Sequence, residues 1–413
     1  MNDVKKTLSL AKIKKEFPWF KNNPNWTYLD SSATSLKPQE VIEAEIEYYA
    51  KLGVSTHNTD SDIAQKVNDL VKTTRSNVAK FINASYDEIS FNSGATEGLN
   101  LIANTLKKKL KKNDEIVLAY SEHASNLLPW IKIANNVKCK LVYVGDKKKI
   151  PDNNLFLKAI TKNTKIVTFC NISNVFAYNI DINKITEKIK EINKNIIIVI
   201  DATQSIPHMK IDTKKANIDY LVFSGHKMLG PTGIGVLYCN KKHLLTTEPL
   251  RLGGGMNTNV TKNSFTFANA PDKFEGGTHN IAGIIGLNAA INFINRIGIE
   301  NIEEHEMKLK NYINKKFSEI KNIEFYNSFA KFPICIFNMK GIYPQDLASF
   351  LAHNKIIVRS GTMCAKLQHN ISNNEVGYVR ASFYLYNDEK DVDKLVKLLK
   401  NFKKGDILKH VIK

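Results

Sequence analysis

The sequence predicts an α/β protein built around a mostly parallel sheet. Two short apolar runs rich in β-branched and aromatic residues, residues 196–200 and 220–223, are too short for helices and end in polar residues. Such runs are typical of buried parallel strands. Strand-like runs also occur at residues 116–119 and 165–171, and apolar residues recur at helical spacing over residues 67–82. A chain of strands and helices in this order favours a sheet covered by helices.

A smaller α+β domain is predicted from about Arg296 onwards. The elements expected there are a helix at 299–320, strands at 323–326 and 332–339, a helix at 344–353, a strand at 356–358 and a helix at 391–402. With 413 residues the chain can bury a large core. We predict an N-terminal helical arm over residues 1–27 that packs on the body, a large domain over 28–295 and a small domain over 296–413.

The chain carries a strong positive charge. Lys and Arg number 59 against 40 Asp and Glu, which gives a net charge of +19. Most of the excess is lysine dispersed through stretches such as residues 106–114, whereas a nucleic-acid interface gathers basic and aromatic residues on one face. We therefore expect a solvated lysine surface and no nucleic-acid partner; nucleic-acid binding is only a remote alternative.

Cysteine usage and hydropathy indicate the compartment. The five cysteines show no CxxC pair and no metal-ligand spacing, so neither a disulfide framework nor a metal site is predicted. The N-terminal segment lacks an uninterrupted apolar stretch and a small-residue cleavage site. The most apolar run, residues 281–294, is too short to span a membrane. We expect a protein of the reducing cytoplasm that does not enter a membrane.

Polar residues collect where the two central strands end. Asp201 follows the first run, and Ser224, His226 and Lys227 follow the second. Open α/β sheets bind ligands at the carboxyl ends of their strands. An aspartate and a lysine at that edge suit pyridoxal phosphate (PLP), because a lysine amine holds its aldehyde as a Schiff base and an acid keeps its ring nitrogen protonated. An isolated Asp and Lys are more often a loop residue and a solvent-exposed residue, but Gln204 and the other polar groups here favour the cofactor.

The motifs resemble those of one enzyme family. D-A-T-Q from Asp201, S-G-H-K ending at Lys227 and G-P-T-G-I-G from Gly230 resemble the fold-type I PLP enzymes of the class V aminotransferase family. More specifically, they resemble the SufS-type (group II) cysteine desulfurases. The resemblance extends from Tyr28 to Asn387 with the motifs in order. It implies an aspartate aminotransferase-like large domain of a PLP-dependent transferase.

The resemblance implies a role for each residue around the cofactor ring. Asp201 would bind the pyridinium nitrogen, Gln204 the ring hydroxyl oxygen, and Lys227 would carry the Schiff base and protons. His123, in an E-H-x-x-N motif, would stack on the ring, and its imidazole suits proton relay. Asn174 would hold the substrate carboxylate or the ring oxygen.

A phosphate seat is predicted at residues 93–98, a glycine-containing turn that opens a helix. Free backbone N–H groups at a helix start bind anions. The resemblance assigns the phosphate to Ala95, Thr96, Ser224 and His226. In relatives a threonine that matches Thr278 reaches the phosphate of the neighbouring subunit, so the resemblance also implies a composite site and a homodimer.

The small domain carries the predicted nucleophile. Residues 359–366, R-S-G-T-M-C-A-K, resemble the R-x-G-x-x-C-A motif of group II desulfurases. The resemblance implies that Cys364 takes the substrate sulfur as a persulfide and that Arg359 and Arg380 bind the substrate, since a guanidinium fork matches a carboxylate. A single cysteine is usually a small buried hydrophobic residue, but a polar loop with a glycine favours a reactive thiol.

Two departures from the family pattern concern the pocket. Ser61 replaces the second histidine of an H-R-x-x-H stretch, which leaves only a weak role for His57. Ala177 and Tyr178 replace Gly-Thr, and Tyr178 is expected to narrow the pocket mouth.

Two further departures concern sulfur transfer. Thr362 and Met363 replace His-His before the cysteine, so a local proton relay is missing. Gln345 replaces a histidine found in relatives that pass sulfur to a zinc-bearing partner, which weakens that mode of transfer.

The predicted function is PLP-dependent conversion of L-cysteine to L-alanine. Persulfide sulfur would pass to an acceptor protein of the SufE or SufU type for iron–sulfur cluster assembly. Selenocysteine lyase, which acts on L-selenocysteine, is the rival within the enzyme class because the same residues serve both reactions. A non-catalytic scaffold in a sulfur-transfer complex is the alternative of another class, and the presence of Lys227, Cys364 and Arg380 together argues against it.

Overall fold

The computed structural model describes residues 10–56, 59–146, 149–372 and 374–406. His57, which the motifs connect weakly with the site, lies outside the described residues. The strands are β1 Thr27–Tyr28, β2 Ile89–Asn92, β3 Glu115–Ala119, β4 Lys140–Val144, β5 Thr164–Cys170, β6 Ile197–Asp201, β7 Tyr220–Ser224, β8 Gly235–Cys239, β9 Asn257–Val260, β10 Phe265–Phe267, β11 Ile323–Phe325, β12 Ile334–Met339, β13 Ile356–Ile357, β14 Arg359–Gly361 and β15 Tyr378–Ser382.

The α-helices alternate with these strands over much of the chain. They are α1 Leu10–Lys15, α2 Pro18–Asn22, α3 Gln39–Glu47, α4 Asp62–Phe81, α5 Ala95–Leu106, α6 Leu128–Val137, α7 Asn153–Ala159, α8 Ile182–Ile192, α9 Ile281–Ile297, α10 Ile299–Phe317, α11 Pro344–His353, α12 Lys366–Ile371 and α13 Glu389–Asn401.

The central sheet of the described chain has seven strands in the order β2-β8-β7-β6-β5-β3-β4. Strands β3 to β7 pair in parallel, while β8 pairs antiparallel with β7 and β2. Alternate residues of each strand face opposite sides, so Leu221 and Phe223 enter one hydrophobic core, and Tyr220 and Val222 enter another. Helix α9 packs in the first core and α5 in the second. The predicted α/β architecture with a mostly parallel sheet is confirmed.

A smaller antiparallel sheet has the order β11-β12-β15-β14 and packs against α10, α11 and α13. One expectation was wrong: Arg359 begins a strand, whereas the sequence suggested a loop from this residue onwards. The segment Arg359–Gly361 is too short to show an alternating pattern, and its pairing with β15 makes it a strand. This pairing places Arg359 directly opposite Arg380.

The described part of the N-terminal segment packs on the body. Phe17 is buried and meets the rings of Phe293 and Tyr386 edge-on, at 5.6 and 4.9 Å between centroids. Strand β1 pairs in parallel with β13 in a separate two-stranded sheet, and this pairing joins the segment after the N-terminal helices to the C-terminal part of the chain. The division of the chain at residues 27 and 295 stays a prediction.

In the part of the chain that the structure describes, no single helix is long and apolar enough to cross a membrane. The consecutive helices α9 and α10 meet that length and composition only as a pair, with a 72° bend between them.

Candidate active site

A cavity of about 200 Å³ lies at the carboxyl edge of the central sheet. Cys170, Asp201 and Ser224, the last residues of β5, β6 and β7, are part of its wall. Twelve of the thirteen predicted site residues line it: Ala95, Thr96, His123, Asn174, Asp201, Gln204, Ser224, His226, Lys227, Arg359, Cys364 and Arg380. Both domains predicted from the sequence therefore contribute to one cavity.

Lys227 ends a single turn, Gly225–Lys227, that follows β7. Burial lowers the pKa of its ammonium group to about 8, and the positive charge of Arg380 acts in the same direction. Asp201 opposes the shift by attracting the protonated form. An amine with a pKa near 8 is a competent nucleophile and base near neutral pH.

The predicted phosphate seat lies where α5 begins. The Ala95 N–H donates to Ser224 Oγ at 2.9 Å, and the Thr96 and Ser125 hydroxyl oxygens lie 2.7 Å apart. Gly94, before the helix, has φ 148°, a conformation that favours glycine, and a side chain there would press on Ser224 Oγ. Hydroxyl groups gathered at the N-terminus of a twelve-residue helix fit a phosphate group.

His123 lies in the cavity wall as a neutral imidazole. Its Nδ1 accepts a hydrogen bond from the Ser125 N–H at 3.1 Å, so the ring proton resides on Nε2. Burial, aided by the positive charge of Lys227, lowers the His123 pKa to about 4. Burial also lowers the pKa of His226 to about 4, again with Lys227 acting in the same direction. Both rings are uncharged at neutral pH.

Four buried side-chain atoms that have no hydrogen-bond partner in the described structure belong to residues lining this cavity: Ser32 Oγ, Asn174 Oδ1, Thr203 Oγ1 and Arg380 Nε. Buried polar atoms are normally satisfied, and each atom without a partner costs about 1–3 kcal/mol. Their concentration around one cavity is expected of a site that binds a polar ligand.

The two arginines form the anion-binding end of the site. Arg380 donates from Nη2 to Asp30 Oδ1 at 3.0 Å and from Nη1 to the Asn174 carbonyl oxygen at 2.9 Å. Burial lowers the Arg380 pKa and raises that of Asp30. Arg359 stands opposite Arg380 on the neighbouring strand, and like charges in such pairs repel. A substrate carboxylate between the two guanidinium groups would relieve that repulsion.

Cys364 is exposed in a tight loop between β14 and α12. Met363 and Cys364 both adopt positive φ, 49° and 61°, which is uncommon outside glycine. The loop is held by two bonds: Asn174 Nδ2 donates to the Met363 carbonyl at 2.6 Å, and the Ala124 N–H donates to the Cys364 carbonyl at 2.9 Å. Asn174 therefore offers the cavity its oxygen, because the loop already takes its NH₂ group.

Tyr178 does not narrow the pocket mouth, contrary to the expectation from the sequence. It is buried, and its hydroxyl lies 3.0 Å from Ser121 Oγ and 3.5 Å from Cys170 Sγ, outside the cavity lining. The preceding Ala177 has φ 53°, in a turn where the Ser173 N–H donates to the Tyr178 carbonyl. This turn places the tyrosine in the core.

The sequence led to no role for several residues in or beside the site. Asp30 and Ser32 come from the segment after β1, and Cys170 and Thr203 lie at strand ends. Beside Cys170, the fully buried Glu122 accepts bonds from the Cys170 N–H at 3.0 Å and from Asn126 Nδ2 at 2.7 Å, and burial raises its pKa to about 8. Position at or just after the end of a strand was the available signal for Cys170, Thr203 and Glu122.

Thr278 lies apart from the other predicted site residues. It lines a second cavity of about 200 Å³ together with Glu97, Arg251 and Asn280. The loop that carries it is anchored by Glu275, whose carboxylate pairs with Arg75. That position does not support a role for Thr278 in the cavity that contains Lys227 of the same chain. A role at the site of a neighbouring subunit stays a prediction.

Comparison with known proteins assigns this chain to a family. The model of class-V aminotransferases matches residues 27–395. The chain belongs to the class-V aminotransferase family. A protein of Ureaplasma parvum named probable cysteine desulfurase is 47% identical over 97% of this chain and 99% of its own. One of Mycoplasma genitalium with the same name is 39% identical over 96% and 97%.

A solved structure with a similar fold belongs to the same class of enzyme as these relatives. The cysteine desulfurase of Thermococcus onnurineus superimposes with a TM-score of 0.90 at 35% identity, over 96% of this chain and 98% of that one. The predicted class, a PLP-dependent enzyme of the cysteine desulfurase type, is confirmed, and its SufS-type subgroup stays a prediction. PLP is the cofactor of this class-V family, and the unpartnered polar atoms, the helix start and the buried Lys227 all fit it.

Proposed function

We propose that this chain converts L-cysteine to L-alanine and takes the substrate sulfur onto Cys364. The observation that carries the proposal is the meeting, in one cavity, of Lys227 after β7, Cys364 on an exposed loop and Arg380 on β15. Two distant parts of the chain, one at residue 227 and the other at residues 364–380, supply an amine, a thiol and an anion-binding guanidinium. Those three groups are what cleavage of an amino acid's carbon–sulfur bond requires.

PLP would be held by Lys227 through its aldehyde, by Asp201 at the ring nitrogen, by Ala95 and Thr96 at the phosphate, and by His123 at the ring. When bound, PLP withdraws electrons from the α-carbon of an attached amino acid. The chain's residues then supply the rest of the chemistry.

Arg380 binds the substrate carboxylate through its unpartnered Nε. Arg359, directly opposite on the neighbouring strand, helps to orient the same carboxylate. Lys227, with its pKa near 8, accepts and returns the proton of the α-carbon. The Cys364 sulfur bonds to the substrate sulfur as the carbon–sulfur bond breaks. The balanced reaction is L-cysteine plus the Cys364 thiol giving L-alanine plus a Cys364 persulfide.

We further propose that the persulfide is passed to a SufE- or SufU-type acceptor for iron–sulfur cluster assembly in the cytoplasm. The exposure of Cys364 supports transfer to another protein, because an acceptor thiol must reach the outer sulfur. The five cysteines are free, which supports a reducing compartment.

A homodimer is part of the same proposal. Leu252, Val260 and Phe265 are more than half exposed on or beside the β9–β10 hairpin. The Gly277 N–H, next to Thr278, donates to the Gly254 carbonyl oxygen just before this hairpin. Exposed apolar groups of this kind favour burial against a second copy of the chain.

The test is to add L-cysteine and a reductant to the purified protein and to quantify alanine and sulfide. We expect equal amounts of both, with absorbance typical of lysine-bound PLP. If alanine forms from L-selenocysteine and not from L-cysteine, the lyase is the better assignment. If neither substrate yields alanine while PLP is bound, the proposed reaction is wrong.

A further inference from the structure

The backbone that leads into Lys227 is held by an unusual group of donors. The carbonyl oxygen of His226 belongs to the peptide bond before Lys227. It lies 3.0 Å from the Ser35 backbone nitrogen, 3.1 Å from Ser35 Oγ, 3.0 Å from Thr34 Oγ1 and 2.9 Å from Lys37 Nζ. All four donors come from residues 34–37, which the proposed reaction does not otherwise use.

The same segment also fixes the residues after Lys227. Ser35 Oγ accepts a hydrogen bond from the Leu229 N–H at 2.8 Å, and Leu229 adopts φ 67°. A non-glycine residue with positive φ costs free energy, so the surrounding contacts must hold it in place. Ser35 therefore joins both ends of the turn that presents Lys227.

Lys37 supplies the charged donor in this group. Its ammonium also donates to the Ser35 carbonyl at 2.5 Å, and in the described structure it forms no salt bridge. A donor that carries a full charge makes a hydrogen bond roughly twice as strong as a neutral one. Burial lowers its pKa to about 7, and Glu45 opposes that shift, so about half of the molecules carry the ammonium form at neutral pH and most of them carry it well below neutral pH.

We propose that Lys37 is a positioning residue for Lys227: its ammonium clamps the His226 carbonyl and so holds the turn that presents the Lys227 amine to the cavity. The proposal rests on the assignment of Lys227 as the residue that binds PLP. Lys37 is thus a second lysine that serves the site, although it does not line the cavity.

The test compares Lys37→Met with Lys190→Met. Lys190 is the control because it also donates to a backbone carbonyl, that of Ile196 at 2.6 Å, at the amino ends of the parallel strands, and it pairs there with the Asp219 carboxylate at 2.8 Å. Its removal therefore breaks an ion pair as well as a hydrogen bond, but at the end of β7 that is remote from residues 225–230. Each variant is measured for the dissociation constant of PLP, followed by the absorbance of the lysine-bound form, and for amide hydrogen exchange of residues 225–230. Lys37→Arg, which keeps the charge, is the rescue variant.

We expect Lys37→Met to bind PLP about tenfold more weakly and to exchange the amides of residues 225–230 about tenfold faster, the loss expected of one charged hydrogen bond. Lys190→Met should leave both quantities within about twofold of the unmodified protein. Lys37→Arg should recover most of the loss.

Equal behaviour of Lys37→Met and Lys190→Met in both measurements would overturn the proposal. If Lys37→Met does not fold, Lys37→Gln takes its place, since it also removes the charge that is donated to the His226 carbonyl and keeps a polar side chain; an unchanged exchange rate would then overturn the proposal. Hydrogen exchange does not depend on catalysis. A protein that binds PLP but makes no alanine therefore refutes the proposed function and leaves the role of Lys37 intact.

Discussion

The buried amine of Lys227 costs the folded protein free energy. Its pKa falls from the ordinary value of 10.5 to about 8 on folding. Between these two values the unfolded chain binds the proton more tightly than the folded chain, so stability rises with pH across that window. Below pH 8 the whole penalty is present.

We therefore expect Lys227→Met to stabilise the PLP-free protein at pH 7. A shift of this size corresponds to roughly 3 kcal/mol, and the gain should shrink between pH 8 and 10.5. Urea unfolding at pH 7 and pH 10 measures it. A stabilisation that is the same at both pH values would mean that the charge of Lys227 is not its source.

Single residues were predictable from the sequence where they follow a strand. Asp201 and Lys227 come at or just after the ends of apolar runs, so the edge they share could be inferred from the pattern of the sequence. Asp30 could not be connected with Arg380, because their bond joins positions 350 residues apart and neither lies in a local pattern that requires the other. The position of Tyr178 was predicted wrongly for a similar reason. The positive φ of Ala177 directs the Tyr178 side chain into the core, and an alanine in the sequence does not indicate a positive φ.

A buried ion pair between Glu275 and Arg75 anchors the loop that carries Thr278. Glu275 accepts from Arg75 Nη1 at 2.5 Å and Nη2 at 2.8 Å, and from the Phe91 N–H at 2.6 Å. The pair thereby joins α4, β2 and this loop. Removing one partner of a buried pair leaves the other charge uncompensated.

We expect Glu275→Gln to lower the free energy of unfolding by about 3 kcal/mol. The matched surface variant Glu248→Gln breaks an exposed pair with Lys108 and should cost less than about 1 kcal/mol. Guanidinium unfolding of both variants measures the difference. Equal losses would show that the buried pair does not anchor the loop.

Element boundaries followed from the sequence only where a pattern was long enough. Helix α11 begins and ends as predicted, because Pro344 starts it and apolar residues recur at helical spacing through it. Strand β14 was missed, since a three-residue strand containing a glycine is defined only by its pairing with β15. The loop that presents Cys364 was therefore predicted correctly, but it begins after Gly361 and not at Arg359.

At the scale of the whole molecule, the fold class followed from the buried parallel strands, but assembly does not follow from one chain. The β9–β10 hairpin is almost fully exposed, and Phe265 is 51% exposed. Thr278, beside it, contributes to a cavity separate from the Lys227 site. Both facts have a single explanation if a second copy covers this face.

We expect Phe265→Asp to dissociate the proposed dimer and to weaken retention of PLP, because burying a carboxylate against the partner is costly. Phe329→Asp is the control, since Phe329 is 54% exposed in the smaller domain. Sedimentation and PLP absorbance are the measurements, with Thr278→Ala expected to weaken PLP retention without dissociation. A monomeric unmodified protein that retains PLP would contradict the composite site.

The most direct test of the central claim is the location of the sulfur after one turnover. Two cysteines line the cavity, so L-cysteine is added without reductant to the unmodified protein, to Cys364→Ala and to Cys170→Ala, and the added sulfur is located by mass spectrometry. We expect one sulfur atom on Cys364 and one alanine per site in the unmodified protein and in Cys170→Ala. Cys364→Ala should retain PLP and carry none. Added sulfur on Cys170, or undiminished alanine from Cys364→Ala, would contradict the account.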